Sequence, residues 1–170
     1  PEVDEVMRRA PRRVDDAIID RAMGVRILLM GLLMGVVSLL VLDLELPGGL
    51  IPGGGADLET ARTAAFTTLV LAQLFNAFNS RSDRHSAFVG LLDNPWLWAA
   101  IGLGIAAQIA VVHLPVLQIA FATSPLSLPQ WIACAGAASL VLWAEEFAKA
   151  IRRLRSHSRT REAARSSSGR

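Results

Sequence analysis

Only one cysteine, Cys134, occurs in the 170 residues, so no disulfide can form within the chain. Charge is missing over long stretches: no Asp, Glu, Lys or Arg falls between Ile27 and Leu42. The usual chemical signatures are missing as well. There is no Gly-rich phosphate loop, no His/Cys/Asp/Glu group at metal-ligand spacing and no Ser/His/Asp arrangement. His85, His113 and His157 stand apart from one another and read as interfacial or solvated residues. These gaps leave no catalytic residue to assign. Cys134 lies in an apolar run, where it reads as a small packing residue.

What is present is apolar. Hydrophobic residues make up 52% of the chain and the mean hydropathy is positive, above an ordinary soluble domain. A crossing of the ~30 Å hydrocarbon core needs roughly 20 mainly apolar residues in helical form. Stretches at about 23–42, 63–80, 95–114 and 128–150 meet that need. The fold expected is therefore all-α: a polytopic membrane protein of four transmembrane helices in two helical hairpins. The first run is too long for a signal-peptide core and is preceded by a charged segment. Arg26 is close enough to its start to snorkel into the headgroups. Thr67, Thr68, Gln73 and Asn76 make the second run the least lipid-like, so it belongs among its neighbours. Pro95 opens the third, with Trp96 and Trp98 at an interface. The fourth ends at Glu145 and Glu146.

Basic residues beside membrane spans are retained in the cytoplasm. Sixteen of the seventeen Lys and Arg residues fall on one side of a four-pass arrangement, and only Arg62 falls on the other. Both termini are accordingly expected in the cytoplasm: a basic entry segment at 1–22, the membrane domain at 23–150 and a basic, disordered tail at 151–170. Acidic and turn-forming residues fill the segment between the first two runs, which reads as a flexible outer loop. The apolar, proline-containing stretch from Leu114 to Pro129 is expected to pack at the membrane surface. The basic balance reads as membrane anchoring and anionic-lipid attraction, with no nucleic-acid partner.

At 100° per residue Gln73, Asn76 and Ser80 share one face of the second helix, with Asn79 beside them. Amides in a bilayer need partners, so this face should meet other helices or a hydrated cavity. Two readings stay open: interhelical hydrogen bonding, or a side-chain oxygen of Gln73 or Asn76 bordering a cation site, since hard cations take oxygen ligands. Glu145 and Lys149 have the spacing of a helical ion pair, as a surface anchor or as a contact for a cytoplasmic domain.

The run Thr63 to Ser82, containing Asn76-Ala77-Phe78-Asn79-Ser80, is followed by Asn94-Pro95-Trp96-Leu97-Trp98, Leu128-Pro129-Gln130-Trp131 and Glu145-Glu146-Phe147-Ala148-Lys149. In that order these pieces resemble the C-terminal region of calcium-type P-type ATPases, over nearly the whole chain. The charged entry Asp4 to Arg12 is similar to the loop before the family's seventh helix. The resemblance implies that the four runs correspond to the pump's seventh to tenth helices, which support the transport core. It also implies calcium as the cargo and a bacterial plasma membrane as the location. Remaining partners would be the lipid bilayer and the pump's other helices and cytoplasmic domains. ATP and magnesium are implied for the complete pump and not for this chain, which lacks the phosphorylated Asp-Lys-Thr-Gly motif. Two-ion calcium pumps carry Glu where this sequence has Gln73. That departure weakens a two-ion site, and one-site pumps draw ligands mainly from helices four to six, so Gln73 would line or buttress the site. The expectation is a module of a larger cation pump, as a fragment, a truncated product or part of a split chain. The alternative is a stand-alone four-helix membrane protein that binds or regulates a membrane partner, and a channel built from the polar face is a third reading.

Overall fold

The structure, a computed structural model, describes residues 21–51, 54–79 and 95–168, except for the side chains of residues 22, 78, 79 and 152–168. Among them run α1 (Arg21–Glu45), α2 (Leu58–Asn79), α3 (Pro95–His113), α4 (Pro115–Phe121) and α5 (Leu128–Ser168), with no strand. The entry segment to residue 20 and the connection 80–94 lie outside the described residues.

Composition explains α1. Leu, Met, Val and Ile fill it on every side, which suits a helix with lipid around most of its circumference. Only Met34, Val37, Ser38 and Val41, spaced as one helical face, are buried, while Leu28, Leu32 and Leu39 are largely exposed. In α3 the buried residues are Ile101, Gln108 and Val112. Among the described residues, three helical segments are long and apolar enough to cross a membrane: Met23–Glu45, Pro95–His113 and Leu128–Ile151.

The remaining long helix, α2, is not among those three, and its burial explains its composition. It sits between α1 and α5, touching α3 more lightly. Ala61, Ala64 and Ala72 are fully buried, as are Cys134 and Ala138. Small side chains let the backbones of α2 and α5 approach closely, the usual basis of helix packing where lipid supplies no hydrophobic drive. Met34, Val41, Leu71 and Val141 complete this core. On the α3 side, Gly104 faces the tip of Leu74, whose Cδ2 would lie 2.9 Å from a Cβ at that position.

Contacts at the two ends fix direction. Glu45 bonds Gln130 and Thr63 bonds the backbone of Ser124 at one end. Arg26 reaches Glu145 at the other. Hence α1 runs antiparallel to both α2 and α5, the two helices it packs against.

The stretch expected at the membrane surface contains α4. Pro115 begins it, where a missing N–H costs nothing, and Ala122 ends it in the left-handed region at φ 52°. All seven residues are at least partly exposed, including Val116, Ile119 and Phe121.

Two further differences from the sequence reading have plain causes. The loop after α1 does not hang free: the Asp43 carboxylate accepts the amides of Leu50 and Ile51, each at 2.9 Å. A side chain at Gly49 would collide with the Asp43 carbonyl, so only glycine permits this clamp. At the other end α5 runs past residue 150 to Ser168. Residues 137–168 include no proline or glycine, so nothing in the backbone interrupts the helix there.

Candidate functional site on the central helix

Buried polar groups in this bundle are hydrogen-bonded within it. Ser38 Oγ donates to the Ala65 carbonyl at 2.6 Å, linking α1 to α2. Thr68 Oγ1 donates to the Ala64 carbonyl at 2.8 Å, and Cys134 Sγ approaches that same oxygen at 3.4 Å. Gln108 Nε2 donates to Thr67 Oγ1 at 2.9 Å, a bond between α3 and α2. Thr63 Oγ1 donates to the Glu59 carbonyl and accepts the Ser124 amide. Such bonds are required because an unsatisfied polar group away from water costs several kcal/mol, on the order of a lost hydrogen bond or more.

The expected polar face behaves differently. Gln73 is exposed and Asn76 half-buried. Neither hydrogen-bonds to another described residue. Above Gln73 on the same side of α2 come Phe66 and Arg62, both exposed. The spacings of four and seven residues place all three on one stripe. α2 therefore turns its alanines and threonines inward to α1, α3 and α5 and leaves this stripe uncovered. The Asn79 side chain and Ser80 lie outside the described residues.

The stripe offers neutral oxygen donors, the Gln73 and Asn76 amides, and no carboxylate. Among the described residues no three His, Cys, Asp or Glu side chains gather to hold a metal ion. A cation meeting Gln73 would need its charge balanced from elsewhere.

The two ends of the bundle carry contacts the sequence did not single out. At the α4 end, Gln130 Oε1 accepts the amide and hydroxyl of Ser127 while its Nε2 donates to Glu45. His113, taken alone as interfacial, stacks on Trp131 and accepts its indole N–H at 3.2 Å. Asp57 caps α2 by accepting the Thr60 amide at 2.7 Å. Those bonds from Thr60 hold the Asp57 carboxyl below the usual carboxylate value. At the opposite end Arg26 does not snorkel outward: its guanidinium lies 2.6 Å from Glu145, which is nearly fully buried. Lys149, also buried, bonds Glu146 at 3.3 Å. The sequence pairs Lys149 with Glu145 at i,i+4, while the bond seen here reaches Glu146 at i,i+3; the Arg26 contact joins two distant segments and carries no local signal.

Residues 1–151 match the family described as "Cation transporting ATPase, C-terminus". Among curated proteins, the calcium-transporting ATPase type 2C member 2 of Mus musculus is 33% identical over 147 residues, which cover 85% of this chain and 15% of that protein. The type 2C member 1 protein of the same organism is 31% identical over 152 residues, 89% of this chain and 16% of its own length. A calcium-transporting ATPase of Bacillus subtilis strain 168 is 30% identical over 136 residues, 80% of this chain and 15% of that protein. The chain thus spans about 15% of the length of the curated relatives it matches.

Proposed function

The chain belongs to the family of cation-transporting ATPase C-termini, and from that membership we propose that it is the C-terminal membrane module of an ATP-driven cation pump, with calcium as cargo. In this reading α2 is a fourth crossing, buttressed by α1, α3 and α5, and both ends of the chain face the cytoplasm. The names of the relatives, calcium-transporting ATPases, support the choice of calcium. The Bacillus subtilis relative supports a bacterial plasma membrane.

One observation carries the proposal: on the helix that is otherwise most enclosed, Gln73 is exposed and makes no hydrogen bond. A primary amide facing lipid is costly, so that face of α2 is suited to cover by further protein. The pump's remaining transmembrane helices would supply it. Gln73, with Asn76 one turn below, then borders the cation path. Its carbonyl oxygen is a hard, neutral ligand that can replace one water of the hydrated ion. Its uncharged state leaves charge neutralisation to carboxylates on the covering helices. ATP and magnesium act on the complete pump, because this chain holds no phosphorylation motif.

In a complete pump, Gln73→Ala is expected to weaken the apparent cation affinity of ATP hydrolysis at least about threefold, whereas Leu71→Ala on the packed side lowers the amount of folded protein without shifting that affinity. Identical cation dependence in the two variants would reduce Gln73 to a packing residue.

A further inference from the structure

A cavity of about 220 Å³ lies between the first turns of α2 and the end of α4, lined by Arg62, Thr63, Phe66, Phe121, Ala122 and Thr123. Its charge setting is unusual. The carboxylates on this end of the bundle are all engaged: Asp43 by Leu50 and Ile51, Glu45 by Gln130, Asp57 by Thr60 and Glu59 by Ser124. Among the described residues the Arg62 side chain pairs with none of them, even with Glu59 three residues before it on the same helix, and makes no other hydrogen bond or ion pair.

The hydroxyls in the cavity have spent their protons. Thr63 Oγ1 donates to the Glu59 carbonyl, and Thr123 Oγ1 to the Val111 carbonyl at 2.7 Å. Thr63 Oγ1 also accepts the Ser124 amide and is buried, whereas Thr123 Oγ1 still has a lone pair to accept with. The cavity thus offers one cation, one acceptor hydroxyl and two phenyl rings. Its position adds depth information. Val116, Ile119 and Phe121 on α4 are exposed and apolar, the character of a short helix lying at the boundary of headgroups and acyl chains, and the His113–Trp131 stack is close by in sequence and of interfacial type.

We propose that this cavity binds the headgroup of a phospholipid that carries hydrogen-bond donors. The Arg62 guanidinium takes the phosphate oxygens through its planar fork of donors. Thr123 accepts from a glycerol hydroxyl or an ammonium group, and Phe66 and Phe121 flank the start of the acyl chains. The cavity is lined by this chain's residues alone, at the α4 end of the stripe, two to three turns above the Gln73 amide that the pump's helices would cover.

Native mass spectrometry of the chain released from detergent micelles supplemented with defined lipids tests this. The wild type is expected to retain one phosphatidylglycerol or phosphatidylethanolamine at least about fivefold more than Arg62→Gln does. Arg62→Lys should fall between them, and phosphatidylcholine, which lacks headgroup donors, should be retained less by the wild type. Millimolar inorganic phosphate should leave the retained lipid in place. Equal retention by wild type and Arg62→Gln at matched thermal stability would overturn the proposal. Displacement by inorganic phosphate would overturn it in favour of a free-anion site, as would a photo-crosslinker at position 62 that captures protein and no lipid in membranes. Because lipid retention is read without turnover, it stands or falls apart from the cation dependence at Gln73.

Discussion

Arg26 on α1 and Glu145 on α5 meet at 2.6 Å, with the carboxylate side chain 3% exposed and the guanidinium side chain 32% exposed. The contact joins the first and last long helices at the end of the bundle away from α4. Beside it, Lys149 bonds Glu146, so two acids and two bases share that end. A carboxylate this enclosed depends on a positive partner, since leaving it unpaired costs far more than the pair itself contributes.

Arg26→Met should therefore destabilise the bundle by on the order of 2 kcal/mol, below the ~3–5 kcal/mol of a fully enclosed pair because water reaches the guanidinium. Combining it with Glu145→Met should restore most of the loss. Denaturation of the two variants in detergent, followed by helical signal, measures both. If the double variant is as unstable as Arg26→Met alone, the carboxylate is not what suffers.

Gln108 is almost completely buried on a helix whose other faces are open, and its amide donates to Thr67 across the α2–α3 gap. A double-mutant cycle with Gln108→Leu and Thr67→Val should give a coupling of about 0.6 kcal/mol and no more than ~1.7 kcal/mol, the span measured for hydrogen bonds between membrane helices. Additive single effects would mean that the two side chains do not sense each other.

Asp57 is expected to make the start of α2 sensitive to acid. Its folded value is lowered by the bonds from Thr60, so its stabilising effect is complete above the unfolded value, about 3.9, and disappears as pH falls through the lower folded value. Hydrogen exchange at Thr60 and Ala61 should accelerate over that acid range in the wild type, with Asp57→Asn lacking this step. A step of equal size in both proteins would assign it to another carboxylate.

Much of this architecture is readable locally. The runs at 23–42, 95–114 and 128–150 match helices because a long, mainly apolar segment with few charges has few alternatives in lipid. The pump resemblance rested on Asn76 to Ser80 and the pieces that follow it, and the family match covers the same region. Other features were hidden. α4 has only seven residues, too few to show a helical period. The Asp43 clamp depends on what Gly49 leaves out.

The residue types of the sequence determined that the chain is helical, that it is built for a membrane and that its second helix carries amides among its apolar residues, because each of these follows from short-range composition and period. Which way each polar group faces was decided by tertiary structure. Thr67 and Gln73 are both polar residues of α2, yet one is bonded inside the bundle and the other lies on its open side. The difference arises because small residues at Ala64, Ala72, Cys134 and Ala138 bring α2 and α5 together at one rotation, and that close packing assigns every remaining side chain its surroundings.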